Sequence, residues 1–222
     1  MSTPAADLDL LLVAIATIPT PWKKWPGGYK RMDSALVDAV MSIRFRYGRE
    51  RQDGSWTGAR GAVLRYEKHS KHVTASERMH YLAGQDPVAL ETILNRQKVH
   101  AGKTKAFAIV EAAKRFEAIG VTEPAHLRPN DADHRTQYTG VSGLGPVTWE
   151  YFTMLLSHDG VKADTWITEF VGRAIHRRVR SEFAGALVKE AAKKLGVDEK
   201  ELDHAIWSYA STTGLKGMPE IP

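Results

Sequence analysis

Residues 141–149 read Val141-Ser142-Gly143-Leu144-Gly145-Pro146-Val147-Thr148-Trp149, and residues 162–166 read Lys162-Ala163-Asp164-Thr165-Trp166. In the first block two glycines enclose one apolar residue at the entrance to a helix. Glycine permits positive φ and close approach, so successive backbone N–H groups can point outward at an anion. The helix N-terminus behind them adds the positive end of its dipole, and Pro146 suits the first helical turn. A phosphate would sit well there. In the second block Asp164 precedes Thr165, Ile167, Phe170 and Val171, which open another helix, so it is a natural N-cap. Alone, a Gly-x-Gly is an ordinary turn and an aspartate before a helix is a cap. Together, at this spacing, the two blocks are more specific than either part.

Outward from these blocks the pattern is helical, and no alternating run is long enough for a sheet. The spacing predicts a first helix over residues 6–18, ended by Pro19-Thr20-Pro21. An irregular stretch from Pro21 to Tyr29 follows, rich in Pro, Gly and Trp. Asp33 or Ser34 is expected to cap a helix with the stripe Leu36, Val37, Val40, Met41, Ile43 and Phe45. Residues 48–58 read as a polar connection, and residues 60–66 as helix. Asp86-Pro87 is a start signal for a helix through Leu94. The run from Ala106 to Phe116 is amphipathic and stops at Gly120. Helices are expected over 148–156 and 165–175, joined by the turn Ser157-His158-Asp159-Gly160. Gly196 ends a helix over 182–195, and Asp198 with Glu201 opens a last one to Tyr209. The expected fold class is all-α.

Composition bounds the chemistry. With 222 residues, 43% of them hydrophobic and 26% charged, the chain has enough apolar material for one large domain or two small lobes. Zero cysteines exclude a disulfide framework, a thiol nucleophile, a zinc–thiolate site and a cysteine-held iron–sulfur cluster. The same absence suits a reducing, cytoplasmic setting. Residues 8–18 are too short to span a bilayer and lack a basic flank, so neither a membrane span nor a secretory signal is expected. The 31 basic against 26 acidic side chains give a net charge of +5, which permits nucleic acid as a partner without requiring it. No compact set of three metal ligands appears around His69, His72 or His176.

Gly143-Leu144-Gly145-Pro146-Val147-Thr148-Trp149 and Ala163-Asp164-Thr165 resemble the hairpin and the catalytic-aspartate block of the helix–hairpin–helix DNA glycosylase superfamily. Leu36 to Ser42 is similar to the helix leading to the DNA-probing loop of that family. Lys103-Thr104-Lys105-Ala106-Phe107 is similar to its Lys-Ala segment before a long helix. The resemblance implies two helical lobes with a DNA-binding cleft between them. A central lobe would cover residues 34–140 with the hairpin following at 141–175, and residues 1–33 with 176–222 would form the second lobe. Val147 occupies the position of the family's Schiff-base lysine, which disfavours strand cleavage through an imine. With no cysteine for a cluster, the resemblance is to the cluster-free, AlkA-like branch. The family's Ser-Gln-Gln probe is missing too, since Ser42 is followed by Ile43, Arg44 and Phe45.

That resemblance implies a monofunctional glycosylase acting on double-stranded DNA that carries a modified base. Asp164 would be the catalytic carboxylate, stabilising oxocarbenium character on the sugar and orienting water. Trp22, Trp25, Tyr29, Trp149 and Trp166 are candidates for a flipped-base pocket, although core packing explains each of them singly as well. DNA contacts are expected from Gly143, Leu144, Gly145, Val147 and Thr148 of the hairpin. Arg44, Arg46, Arg49, Arg51, Gln52, Lys103 and Lys105 would supply cations and a probe. Further basic groups are Arg96, Lys98 and His100, and then His176, Arg177, Arg178 and Arg180. No cofactor or metal is required, with a monovalent cation at the hairpin as the one addition the family allows. The protein is expected to be a nucleoid-associated monomer. The base could be alkylated, for repair, or a bulky phage-type base, for defence. The rival readings are a non-catalytic helix–hairpin–helix DNA-binding module, and a lyase using a displaced lysine such as Lys162 or Lys98.

Overall fold

The structure, a computed structural model, describes residues 4–100 and 102–221. Among these residues the α-helices are α1 (Pro4–Ala16), α2 (Met32–Met41), α3 (Gly58–His69), α4 (Arg78–Ala83), α5 (Pro87–Ile93), α6 (Lys105–Ala118), α7 (Ala132–Thr139), α8 (Pro146–Leu155), α9 (Thr165–Ala174), α10 (Ser181–Leu195) and α11 (Glu199–Thr213). Two short strands, β1 (Lys98–His100) and β2 (Lys103–Thr104), pair antiparallel just before α6. The all-α expectation holds. The chain divides into two compact units, residues 28–158 and residues 1–27 with 159–222. The boundaries differ from those expected at 33/34 and 175/176. Tyr29 N–H bonds Leu155 O in the first unit, whereas residues 161–175 contribute Val161, Ala163 and Ile167 to the core of the second.

In the unit of residues 28–158, α2 is the axis. All ten of its residues are buried, and α3, α6 and α8 pack around it. Asp33 does not cap this helix, contrary to expectation. Its carboxylate accepts from Arg31 at 2.6 Å and from the Tyr66 hydroxyl at 3.0 Å, which draws it inward and leaves Arg31 at the N-cap position. A second core layer is aromatic: Phe116, Tyr138, Trp149 and Phe152 stack with ring centroids 5.4–6.4 Å apart. Locally encoded caps form as the sequence dictates. Asp86 accepts from the Val88 and Ala89 amides to open α5, and Asp131 accepts from Asp133 and His134 to open α7.

Residues 46–58 depart from the expected plain connection. Glu50 bridges Trp56, Arg51 N–H bonds Ser55 O at 2.7 Å, and Thr57 N–H bonds Arg49 O at 3.1 Å. Asp53 accepts from both the amide and hydroxyl of Ser55, closing the tip. The result is an ordered strap with a two-sided hydrogen-bond ladder. Its pairing is too short to leave an alternating pattern in the sequence.

In the unit of residues 1–27 and 159–222, α9 packs against α1, α10 and α11. Its apolar stripe, Ile167, Phe170, Val171 and Ala174, meets Leu11, Ile15, Val188, Leu202 and Ile206 in one core. Full burial of each such Leu, Ile or Phe contributes about 1.5–3 kcal/mol. Gly196 ends α10 at φ 68, the left-handed cap that glycine adopts without a Cβ penalty. No helix among the described residues is long and apolar enough to cross a membrane.

Candidate active site

The hairpin lies between α7 and α8 in the unit of residues 28–158. Leu144 is buried and anchors it, and its N–H closes a turn onto Val141 O at 3.0 Å. The two glycines have different physical roles. Gly143 has φ 90, and a Cβ there would lie 2.6 Å from a methyl of Val99 on β1, so the fold itself demands glycine. Gly145 has φ −141 in extended backbone, and a Cβ would meet nothing within 4 Å. Thr148 folds back onto Gly145, its hydroxyl accepting the Gly145 N–H at 3.0 Å and donating to the Gly145 carbonyl at 2.9 Å. That bond removes Gly145 N–H from the outward-facing set. Among the described residues, the amides of Gly143, Val147 and Thr148 have no assigned acceptor, and Pro146 has no N–H to offer. The Val147 and Thr148 amides lie in the first turn of α8, at the positive end of its dipole, a setting suited to an anion.

Asp164 lies in the other unit, at the N-cap of α9, where both helix amides in reach bond one oxygen. Trp166 N–H donates to Oδ1 at 2.9 Å and Ile167 N–H to the same atom at 3.2 Å. Among the described residues Oδ2 receives no assigned donor. Partial burial raises the carboxyl pKa, while Lys162 and the two amides oppose the rise. A carboxylate fixed through one oxygen presents the other in a defined direction.

Beside Asp164 the structure places residues that sequence reasoning missed. Asp203 on α11 is buried, accepts the Lys162 N–H and bears electrostatically on Asp164. His204 stands edge-on to Trp25 with centroids 5.6 Å apart and stacks on Trp207 at 5.9 Å. Burial, and then Lys23, lower its pKa, so the imidazole is neutral at physiological pH. Glu201 accepts the Trp25 N–H at 3.1 Å. The signal for Asp203 was an acidic residue inside the apolar stripe Leu202, Ile206 and Ala210.

The expected pocket aromatics scatter. Trp22 and Trp25 are half-buried in the unit that holds Asp164, and their indole N–H groups are buried without an acceptor among the described residues. Trp166 is 36% exposed, two residues beyond Asp164. Tyr29 belongs to the other unit, where its hydroxyl donates to Asp38 at 2.7 Å and accepts from Arg60 at 2.9 Å. Trp149 is corrected: at 2% exposure, inside the Phe116–Tyr138–Phe152 stack, it is core.

Arg44, Arg46, Arg49, Arg51 and Gln52 are exposed on or beside the strap, and Lys103 is exposed on β2. Lys105 is corrected. It is 1% exposed, and its ammonium donates to Met41 O, Ile43 O and Gln97 Oε1 at 2.8, 2.6 and 2.7 Å. Burial lowers its pKa to about 8. It ties down the exit of α2, where the strap begins, and is not a surface cation. Arg177 likewise serves the fold through an ion pair with buried Asp7. Among the described residues no three His, Cys, Asp or Glu side chains gather as a metal site.

No curated protein sequence matches the chain. Among solved structures the chain is similar to the 3-methyladenine DNA glycosylase MagIII of H. pylori, a structure bound to 1,N6-ethenoadenine. The TM-score is 0.60 at 11% identity, over 97% of this chain and 100% of that one. The chain therefore shares the all-α fold of that structure. The sequence model of a family described as a domain of unknown function, DUF8548, matches residues 11–211, and the chain belongs to that family.

Proposed function

We propose that the protein is a monofunctional DNA glycosylase that removes a modified base from double-stranded DNA by hydrolysis, with Asp164 as the catalytic carboxylate. The observation that carries this reading is the Asp164 cap. Both amide bonds fall on Oδ1, leaving Oδ2 for the reacting sugar, and the residue follows an amide cradle in a shared glycosylase fold. In the proposed step the C1′–N bond breaks with its electron pair going to the base. Ionised Asp164 stabilises the oxocarbenium charge left on the sugar. Water then forms the new C1′–O bond, and its proton passes to Asp164. Val147 at the hairpin offers no amine for an imine, so hydrolysis is favoured over lyase chemistry.

The substrate class supported best is an N-alkylated purine. A ring nitrogen already positive makes the base its own leaving group, so one ionised carboxylate suffices and no acid need protonate the base. The aromatic group of Trp25, His204 and Trp207 suits a flat, electron-poor ring. The exposed arginines of the strap would neutralise DNA phosphates. The reading is tested by incubating duplexes that carry alkylated, deaminated, oxidised or glucosylated bases and identifying the released base by mass. Release by the wild type and its loss in Asp164→Asn support the enzyme. Equal release by the variant, or DNA binding with no release from any duplex, favours a binding module.

A further inference from the structure

The proposed mechanism leaves one buried ionisable group unused, Asp203 on α11. The residue is 5% exposed. The carboxyl accepts the backbone N–H of Lys162, while its Oδ1 is buried with no hydrogen-bond partner among the described residues. Asp164 N–H turns back onto Lys162 O at 2.6 Å, so residues 162–164 form a tight turn. Asp203 therefore holds, from α11, the turn that carries Asp164.

An ionised carboxylate with an empty, dry oxygen is a poor occupant of that position, whereas a neutral carboxylic acid is a good one. Burial and the negative charge of Asp164 both favour the neutral form, and Lys162 and its amide oppose it. On α11 the nearby titratable groups are Glu201 and His204. His204 is held neutral by burial and by Lys23, so it supplies no compensating cation.

We propose that Asp203 is a positioning residue for Asp164, gripping the Lys162–Asp164 turn as a neutral carboxylic acid and leaving Asp164 as the one charged member of the pair. The proposal deepens the glycosylase reading and rests on it for its catalytic consequence. The division of labour follows from electrostatics: two adjacent buried carboxyls cannot both ionise without repulsion, and Asp164 has the more solvated position.

Two substitutions at Asp203 test this. Asp203→Asn keeps an acceptor for Lys162 N–H and is neutral at every pH, whereas Asp203→Leu removes the acceptor. A carboxyl whose folded pKa is raised contributes stability that is full below the unfolded value and lost as pH rises through the folded one. The wild type should therefore melt several degrees below Asp203→Asn at pH 8, with the gap closing toward pH 4. In single-turnover base release, Asp203→Leu should lose about tenfold or more in rate at unchanged DNA affinity, and Asp203→Asn should restore most of that loss. Coincident melting curves of wild type and Asp203→Asn across pH 4–8 would overturn the neutral acid. A wild-type rate for Asp203→Leu would overturn the positioning role. The melting arm needs no substrate. It decides the neutral-acid claim even if no duplex releases a base, and if Asp203→Leu fails to fold, the Asn variant still decides. Base release together with coincident melting curves would remove this inference and leave the glycosylase reading intact.

Discussion

Replacing the two hairpin glycines one at a time separates what the fold needs from what a ligand needs. At Gly143, alanine must adopt φ 90, which costs about 1–2 kcal/mol for a residue with a Cβ. Its methyl would also lie 2.6 and 2.9 Å from the two Val99 methyls and 3.2 Å from His100 Cβ. Overpacking of that kind adds about 1–3 kcal/mol. Gly143→Ala should therefore lose about 2–5 kcal/mol and melt about 4–20 °C lower. At Gly145 both terms vanish, because φ is −141 and the space around a Cβ is empty. Gly145→Ala should be as stable as the wild type, or more stable by about 0.4–1 kcal/mol through the lower entropy of the unfolded chain. Its methyl would nonetheless project into the open space before α8 that the proposed phosphate would occupy. Duplex affinity should fall about tenfold or more, because the amides can no longer reach the oxygens. Urea melts of both variants and duplex titrations at two salt concentrations provide the assay. Wild-type affinity in Gly145→Ala would refute the phosphate cradle, and wild-type stability in Gly143→Ala would refute the steric account of the turn.

Other consequences follow from the same geometry. Trp149→Ala should cost about 3–5 kcal/mol in denaturant unfolding, as expected for a ring wholly inside the aromatic stack. Arg49→Ser and Arg51→Ser should each lower the slope of log affinity against log salt by about one, with stability changed by less than about 0.5 kcal/mol. Asp164→Ala should lose about 1 kcal/mol of cap, whereas Asp164→Asn keeps it, because an amide oxygen accepts the same two N–H groups. The raised pKa of Asp164 sets the sign of the pH profile. With ionised Asp164 as the proposed active form, base release should decline as pH falls through a value above the ordinary carboxylate pKa of about 4. An acid limb at or below that ordinary value would contradict the burial of the group.

Local signals were legible in the sequence, and tertiary ones were not. Asp86 and Asp164 cap helices because a short carboxylate reaches amides two and three residues on, a purely local event. Gly143 was recognisable for the same reason, whereas the freedom around Gly145 depends on what is absent nearby. Lys105 looked like a surface cation because lysines are rarely buried. It is inside because two carbonyls at the exit of α2 and the Gln97 amide converge on one ammonium. Trp149 follows the hairpin closely in sequence, yet its ring points into the Phe116–Tyr138–Phe152 stack, a direction set by helix packing. The strap at residues 46–58 escaped detection because its ladder is only a few bonds long. Asp203 left one faint trace, an acid in an apolar stripe. Its meaning needed the Lys162 turn beside it.

Ionised Asp164 is proposed to drive hydrolytic loss of a base from duplex DNA. The most direct test is single-turnover release from duplexes bearing 3-methyladenine, 1,N6-ethenoadenine and a glucosylated cytosine. Free base is identified by mass, and wild type is compared with Asp164→Asn at equal DNA occupancy. The wild type should release an alkylated purine and leave no borohydride-trapped adduct, and the variant should be at least about a hundredfold slower at undiminished affinity. An equal rate in Asp164→Asn would rule out Asp164 as the catalytic carboxylate.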